Sequence, residues 1–192
     1  MKIGLFFGSF NPIHVGHLII ANYMAENTDL DKVWLVVSPH NPHKKRETLA
    51  DDADRLYLVE LAIAGNLNLQ ASDIEFDLEK PSYTVHTLAY LKEQQPEDEF
   101  VLIMGGDNLA TLHKWKNYDY ILKNHQIYVY RRPNYDLGEL STHAAVHLFE
   151  VPMMEISSTF VRKLVAAQKS IRYLVPDEVA EEIERSGLYN NG

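Results

Sequence analysis

The chain of 192 residues contains no cysteine. Disulfide bonds, thiolate nucleophiles and cysteine-ligated zinc sites are therefore excluded, and a cytoplasmic location is expected. Long apolar runs are also missing, since no stretch approaches the roughly 20 residues that a membrane-spanning helix needs. Gly8 and Pro12 interrupt the N-terminal apolar run too early for a secretory signal. No membrane partner is expected.

Positive charge is scarce. The chain has 18 basic and 27 acidic residues and a formal net charge of -9. Such an acidic body repels a nucleic-acid backbone, so no nucleic-acid partner is expected. An anionic substrate would need a local cluster of cations. The length predicts a single domain over residues 1–192.

Short apolar runs alternate with segments of helical periodicity. Strands are predicted at 2–7, 32–38, 67–76, 100–107, 126–132 and 146–151, and helices at 14–27, 51–65, 83–94, 156–165 and 176–187. This alternation predicts an α/β fold, with a parallel sheet and helices on both of its faces. A C-terminal helical segment, about residues 157–189, is expected to pack on the sheet. The stretch 134–143 is predicted to be a surface loop.

The stretch G-S-F-N-P-I-H-V-G-H (8–17) joins the first strand to the first helix. Gly8 lets a phosphate approach the backbone, and the helix start offers N–H groups and a positive dipole end. His14 and His17 are three residues apart, so both can face one ligand. A metal-binding pair, or two incidental histidines in a strand–turn–helix, is the alternative.

Three further stretches of the sequence carry residues that could contact an anionic or nucleotide ligand. Lys44, Lys45 and Arg46 form a basic run in the loop at 38–46, which by itself is typical of a solvated turn. G-G-D-N (105–108) ends a strand, where Gly105 and Asp107 can reach a ribose hydroxyl. Ser157, Ser158, Thr159 and Arg162 open a helix and offer a second anion site, although an ordinary helix cap is the simpler interpretation.

Together these sites place two helix starts, two imidazoles and several cations at the carboxyl ends of the strands, where open α/β sheets bind ligands. A triphosphate fits such a crevice. The chain has no G-x-G-x-x-G after the first strand and no G-x-x-x-x-G-K-[ST], so a hydride-transfer enzyme is not favoured and a P-loop is excluded.

Two stretches resemble the signatures of the nucleotidyltransferase superfamily: G-S-F-N-P-I-H-V-G-H (8–17) and I-S-S-T-F-V-R (156–162). Further segments resemble bacterial nicotinate mononucleotide adenylyltransferases, namely S-Y-T-V-H-T-L (82–88), L-I-M-G-G-D-N-L (102–109), W-K-N-Y (115–118), R-R-P (131–133) and Y-L-V-P-D-E-V (173–179). The likeness runs from Lys2 to about Tyr189. It implies a Rossmann-like sheet of the nucleotidyltransferase type. It also implies adenylyl transfer from ATP to nicotinate mononucleotide, giving deamido-NAD and pyrophosphate in NAD biosynthesis.

The resemblance also implies roles for individual residues. The residues expected to act on the ATP phosphates are His14, His17, Arg162 and Lys44. Those expected to bind the rest of ATP or the dinucleotide are Gly8, Ser9, Phe10, Ser157, Ser158, Thr159, Gly105 and Asp107. Those expected to bind nicotinate mononucleotide are Thr84, Trp115, Tyr118 and Arg132, with Trp115 stacked on the pyridine ring. Mg²⁺ is expected to arrive on the ATP phosphates, and no protein metal site is expected.

Other readings share parts of this pattern. A phosphopantetheine-type adenylyltransferase has both signatures, but would not be expected to carry S-Y-T-V-H-T-L with W-K-N-Y downstream. A non-catalytic nucleotide-binding regulator would not need both histidines and Arg162. A class I aminoacyl-tRNA synthetase fragment shares H-x-G-H, but this chain is short, acidic and has no tRNA-binding extension. Self-association into a homo-oligomer stays open.

Overall fold

A computed structural model of the protein describes residues 1–39, 49–131 and 137–190. Within these residues a six-stranded sheet has the order β3-β2-β1-β4-β5-β6, and every neighbouring pair is parallel. The strands are β1 (Lys2–Gly8), β2 (Lys32–Val37), β3 (Leu69–Ser72), β4 (Glu99–Gly105), β5 (Ile127–Tyr130) and β6 (Val146–Phe149). The α-helices are α1 (Val15–Asn27), α2 (Asp52–Ala62), α3 (Thr84–Gln94), α4 (Gly106–Thr111), α5 (Tyr118–Asn124), α6 (Ser158–Ala166) and α7 (Asp177–Ser186).

Alternate residues of the strands feed two hydrophobic clusters, one on each face of the sheet. In β2, Val33 and Leu35 join the cluster that contains buried residues of α1, α2, α6 and α7. Trp34 and Val36 of the same strand join the cluster that contains buried residues of α3, α4 and α5. This period of two in a strand buried on both faces explains the continuous apolar runs in the sequence. The predicted parallel sheet with helices on both faces is confirmed.

Some element bounds differ from the prediction. The strand expected at 67–76 is limited to Leu69–Ser72, because residues 73–76 form a turn closed by the Phe76 N–H on the Asp73 carbonyl at 2.7 Å. Helices α4 and α5 were not predicted; they have 6 and 7 residues, too few for an apolar period to appear. Of the loop predicted at 134–143, residues 134–136 lie outside the described residues, and Glu139–Thr142 form a 3-10 helix. Among the described residues, no helix combines the length and apolar character needed to cross a membrane.

The strand order reverses direction at β1. The chain runs outward through β2 and β3 on one side of β1, and then through β4, β5 and β6 on the other. Phe6 of β1 pairs with Ile103 of β4, so the carboxyl ends of these two strands are neighbours. A reversal of this kind opens a crevice at the carboxyl edge of the sheet. The loop after β1 and the start of α4 both lie at this edge.

Candidate active site

The loop after β1 is shaped by the ring of Phe10. Phe10 has a φ of 44°, in the left-handed region, and its side chain is 1% exposed. Its ring lies against Gly8, where a Cβ atom would stand 2.8 Å from the ring carbon Cζ. We expected the missing side chain of Gly8 to admit a phosphate; the structure fills that space with Phe10 instead. Ser9, between them, is exposed.

His14 and His17 stand together at the start of α1, as their spacing predicts. Their ring centroids are 3.7 Å apart and their planes differ by 22°, so the rings are stacked. Nδ1 of His17 accepts a hydrogen bond of 3.3 Å from the backbone N–H of His14. A neutral imidazole that accepts at one nitrogen carries its proton on the other, so His17 presents an N–H at Nε2. The rings of Phe6 and Phe10 both pack on the His17 ring in T-shaped arrangements and hold it in place.

Gly16 makes room for this pair. A Cβ atom on Gly16 would lie 3.0 Å from Nδ1 and 3.1 Å from Cε1 of His14, closer than ordinary van der Waals contact. The absence of a side chain therefore lets the His14 ring fold back over the first turn of α1. This gives the glycine of the H-x-G-H motif a steric reason.

The backbone amides at the start of α1 are already partly engaged. The Val15 N–H donates to the carbonyl of Leu174 at 2.9 Å, and the His17 and Leu18 N–H groups donate to the carbonyl of His14 at 2.9 and 3.3 Å. We expected these amides to be offered to an anion. The segment between α6 and α7 takes the first of them, so the helix dipole and the imidazoles remain as the attraction for negative charge.

Helix α6 docks its first turn on the loop after β1. The Ser158 hydroxyl donates to the carbonyl of Pro12 at 2.9 Å, and Nη1 of Arg162 donates to the carbonyl of Asn11 at 2.7 Å. The two stretches that resemble superfamily signatures are thereby joined across about 150 residues of sequence. The structure brings Arg162 to the loop that carries His14 and His17, as predicted.

The other polar residues at the start of α6 make contacts within the helix itself. Ser157 is the N-cap, and its Oγ accepts the Phe160 N–H at 3.2 Å. This matches the simpler interpretation of Ser157. Thr159 is exposed, and its Oγ1 accepts a long contact of 3.4 Å from Nη2 of Arg162. Arg162 is half-buried and has five N–H donors, so a guanidinium here suits an anionic ligand.

The fully buried Arg55 of α2 was missed by sequence reasoning. Its side chain is 0% exposed, and Nη1 donates to the carbonyls of Ser9 at 2.5 Å and Ser38 at 2.9 Å. Nε donates to the carbonyl of Ala50 at 3.1 Å, and Nη2 to Oδ1 of Asp52 at 2.6 Å. A sequence signal did exist: an arginine stands three and four residues before Leu58 and Val59, on the buried face of the helix.

Gly105 and Asp107 lie at the end of β4, next to the end of β1. A Cβ atom on Gly105 would collide with Oδ1 of Asp107, so the glycine lets this carboxylate fold back over the strand end. The ring of Tyr130 approaches the same point from β5. The structure thus places both residues at the crevice, as their position after a strand predicts.

The W-K-N-Y stretch (115–118) meets the start of α3. Nζ of Lys116 stands 4.5 Å from the ring centroid of Tyr83, which is the N-cap of α3 and directly precedes Thr84. Trp115 is half-buried against the core cluster of α3, α4 and α5, and Tyr118 begins α5. Lys116 thereby brings the W-K-N-Y stretch next to Tyr83, the residue before Thr84. Lys116 is a cation that the sequence analysis did not single out.

A buried carboxyl lies behind the start of α3. Glu75 is 3% exposed and accepts a hydrogen bond of 2.8 Å from the Thr87 hydroxyl. Burial raises the pKa of Glu75, while hydrogen bonds from the hydroxyls of Thr87, Ser38 and Ser82 oppose that rise. These hydroxyls tie the ends of β2 and β3 to α3. No sequence pattern singled out this carboxyl.

Two of the predicted site residues, Lys44 and Arg132, lie outside the described residues. Within the described ranges, His, Asp and Glu side chains form no group of three able to hold a metal ion.

The sheet, its switch point and the two docked signatures define a nucleotide-binding α/β protein of the nucleotidyltransferase type.

Comparison with known proteins agrees with this class. The cytidylyltransferase-like family matches residues 5–164. A Flavobacterium psychrophilum protein named "Probable nicotinate-nucleotide adenylyltransferase" is 56% identical over 191 residues, which cover 98% of this chain and 99% of that protein. A Cytophaga hutchinsonii protein of the same name is 56% identical over 191 residues, which cover 100% of this chain and 100% of that protein. The structure of Plasmodium falciparum nicotinic acid mononucleotide adenylyltransferase complexed with NaAD has a TM-score of 0.83 at 19% identity, covering 100% of this chain and 98% of that one.

The chain belongs to the cytidylyltransferase-like family and, within it, to the nicotinate-nucleotide adenylyltransferases. The resemblance seen in the sequence is thereby confirmed.

Proposed function

We propose that the protein transfers the adenylyl group of ATP to nicotinate mononucleotide, giving deamido-NAD and pyrophosphate, a cytoplasmic step of NAD biosynthesis. The observation that carries this function is the docking of Ser158 and Arg162 on the backbone of Asn11 and Pro12, beside the stacked histidines. The names of relatives at 56% identity support the choice of acceptor.

The reaction is an in-line displacement at the α-phosphorus of ATP. A phosphate oxygen of nicotinate mononucleotide forms the new P–O bond as the bond to the pyrophosphate oxygen breaks. The nucleophile is already an anion, so no general base is needed. The remaining tasks are to bring two polyanions together and to stabilise the charge that grows on pyrophosphate. Positioning can supply roughly 7–11 kcal/mol of the barrier reduction.

The histidines supply N–H donors to the crevice, and Arg162 supplies positive charge. Nε2–H of His17 is a fixed donor, because the His14 amide and two phenylalanine rings hold its imidazole. A preorganised donor aimed at developing charge is worth about 3–4 kcal/mol. Arg162 approaches from α6 and would bind the phosphate chain from the other side. Lys44 is proposed to add a further cation.

The acceptor is proposed to bind between α3 and the W-K-N-Y stretch. Its pyridine ring carries a positive charge, and an indole face attracts a cation by about 0.5–2 kcal/mol, which suits Trp115. Its carboxylate suits the positive start of α3 at Thr84 and the neighbouring ammonium of Lys116. A carboxamide would gain less from these positive groups, so nicotinate is the proposed substrate in preference to nicotinamide mononucleotide.

Mg²⁺ is proposed to enter with ATP as part of the substrate. Magnesium keeps several waters and uses phosphate oxygens readily, so it does not require a cage of protein ligands. Activity that persists in excess chelator would contradict this arrangement.

The experiment is a coupled assay of pyrophosphate release with ATP, Mg²⁺ and a panel of acceptors. Nicotinate mononucleotide should give the highest kcat/KM, followed by nicotinamide mononucleotide, with phosphopantetheine inactive. Equal kcat/KM for the two mononucleotides would reject the acceptor site described here. Nucleotide binding without pyrophosphate release from any acceptor would instead favour a regulator.

A further inference from the structure

The buried guanidinium of Arg55 has the contacts of a positioning group. It bonds the loop after β1 from helix α2, whereas Arg162 bonds the same loop from α6, and the Arg55 side chain is 0% exposed. It cannot touch a substrate from the interior. Besides the Asp52 carboxylate, its donors bind backbone: the carbonyls of Ser9, Ser38 and Ala50.

These carbonyls belong to the structures that form the site. Ser9 lies in the loop that leads to the histidines, and Ser38 directly follows β2. The Ala50 N–H donates to Oδ1 of Asn11 at 3.1 Å. Ala50 therefore links Arg55, which binds its carbonyl, to Asn11 in the loop after β1. Arg55 and Arg162 therefore hold adjacent parts of one loop, from α2 and from α6, through the carbonyls of Ser9 and Asn11.

We propose that Arg55 is a positioning residue for adenylyl transfer: its fork of N–H donors fixes the loop after β1 so that the histidine pair meets the phosphates correctly. This inference rests on the function proposed above. The planar fork suits the task, because a guanidinium can bond three carbonyls in fixed directions, whereas an ammonium on a flexible stem cannot reproduce that pattern. Asp52 offsets the charge of Arg55 through an ion pair of 2.6 Å.

The test compares Arg55→Lys and Arg55→Gln with a matched control, Lys2→Met. Lys2 lies at the other end of β1, is 16% exposed and makes ion pairs with Asp29 at 2.7 Å and Glu99 at 3.6 Å. Its loss should lower stability without moving the loop. For each variant, kcat and both KM values are measured well below its unfolding midpoint, and rates are expressed per folded molecule.

Both Arg55 variants are expected to lose about tenfold or more in kcat, since small misplacements of reacting groups have effects of this size. KM for nicotinate mononucleotide should change less than about threefold, because that site lies at α3. Lys2→Met should keep the kcat of the wild type. A purely structural role would instead lower the folded fraction and leave kcat per folded molecule unchanged, and that result would overturn the proposal.

Two further outcomes are decisive. Failure of both Arg55 variants to fold would also overturn the proposal, because Arg55 would then serve the whole fold and not the loop. An inactive wild type would reject the proposed function itself, whereas an active wild type with fully active Arg55 variants would reject only the positioning role.

Discussion

Replacing Gly16 with alanine should separate catalysis from stability. The new Cβ atom would stand 3.0 Å from Nδ1 of His14, so the ring must move by a few tenths of an ångström. The His17 ring is stacked on it at 3.7 Å, and the move therefore either opens the stack or passes to His17. A misplacement of 1 Å can cost about a hundredfold in rate, so a shift of this size should cost about three- to tenfold in kcat.

The same substitution should not weaken the fold. Alanine is favoured over glycine in a helix by up to about 1 kcal/mol, and this gain offsets the crowding at His14. We expect the free energy of unfolding to be equal to or slightly above that of the wild type. Stability is measured by urea unfolding, and kcat by pyrophosphate release at saturating ATP and mononucleotide.

Asn22→Ala is the matched control for Gly16→Ala. Asn22 is exposed in the same helix, and its amide oxygen accepts only a surface hydrogen bond of 2.9 Å from Asn66 among the contacts described. It changes helix propensity without approaching the imidazoles, and should leave kcat unchanged. If Gly16→Ala retained kcat within twofold of the wild type, the steric reason given for the glycine would be refuted.

Three other predictions address the site and its surroundings. His17→Ala should lower kcat by about a hundredfold or more through loss of a donor to the developing charge, and near-normal turnover in the pyrophosphate assay would disprove its assigned role. Tyr189→Phe should leave the free energy of unfolding unchanged or raise it by about 1 kcal/mol, because the Tyr189 hydroxyl is buried without a hydrogen-bond partner within the described residues; a clear loss of stability in urea would reveal a partner. Burial raises the pKa of Glu75, so its ionisation costs the folded state stability as pH rises above the ordinary carboxyl range; Glu75→Gln should therefore gain stability relative to the wild type between pH 4 and pH 7, and a constant difference would contradict this.

Regular patterns in the sequence predicted the sheet well. Strands β1, β2, β4 and β5 are buried over most of their length, which gives continuous apolar runs, and helices α6 and α7 show a clear apolar period. The short helices α4 and α5 could not be predicted in this way. Helix α4 starts at Gly106, where Leu137 approaches so closely that a Cβ atom would lie 2.5 Å from it, and α5 follows Asn117 with a φ of 52°. An approach by a residue distant in sequence and a single left-handed residue leave no apolar period in the sequence.

The sequence indicated which residues lie near one another at the candidate site better than it indicated what each of them contacts. The spacing of His14 and His17 implied proximity, and the structure shows stacking. Gly8 and Ser158 were singled out for contact with ligand, yet one packs on Phe10 and the other binds the Pro12 carbonyl. Such partners are set by tertiary packing, which a short motif does not encode. Arg55 shows the reverse case, a residue central to the site with no motif around it.

The carbonyl of Leu174 on the first amide of α1 has a consequence for protein synthesis. Arg162 and Leu174 both follow the last strand in the chain, while the histidines they support are made first. During translation the six strands can pair before these residues emerge from the ribosome. A nascent chain would then hold a formed sheet and an incomplete crevice until Arg162 and Leu174 have emerged and bonded to the loop and to the start of α1.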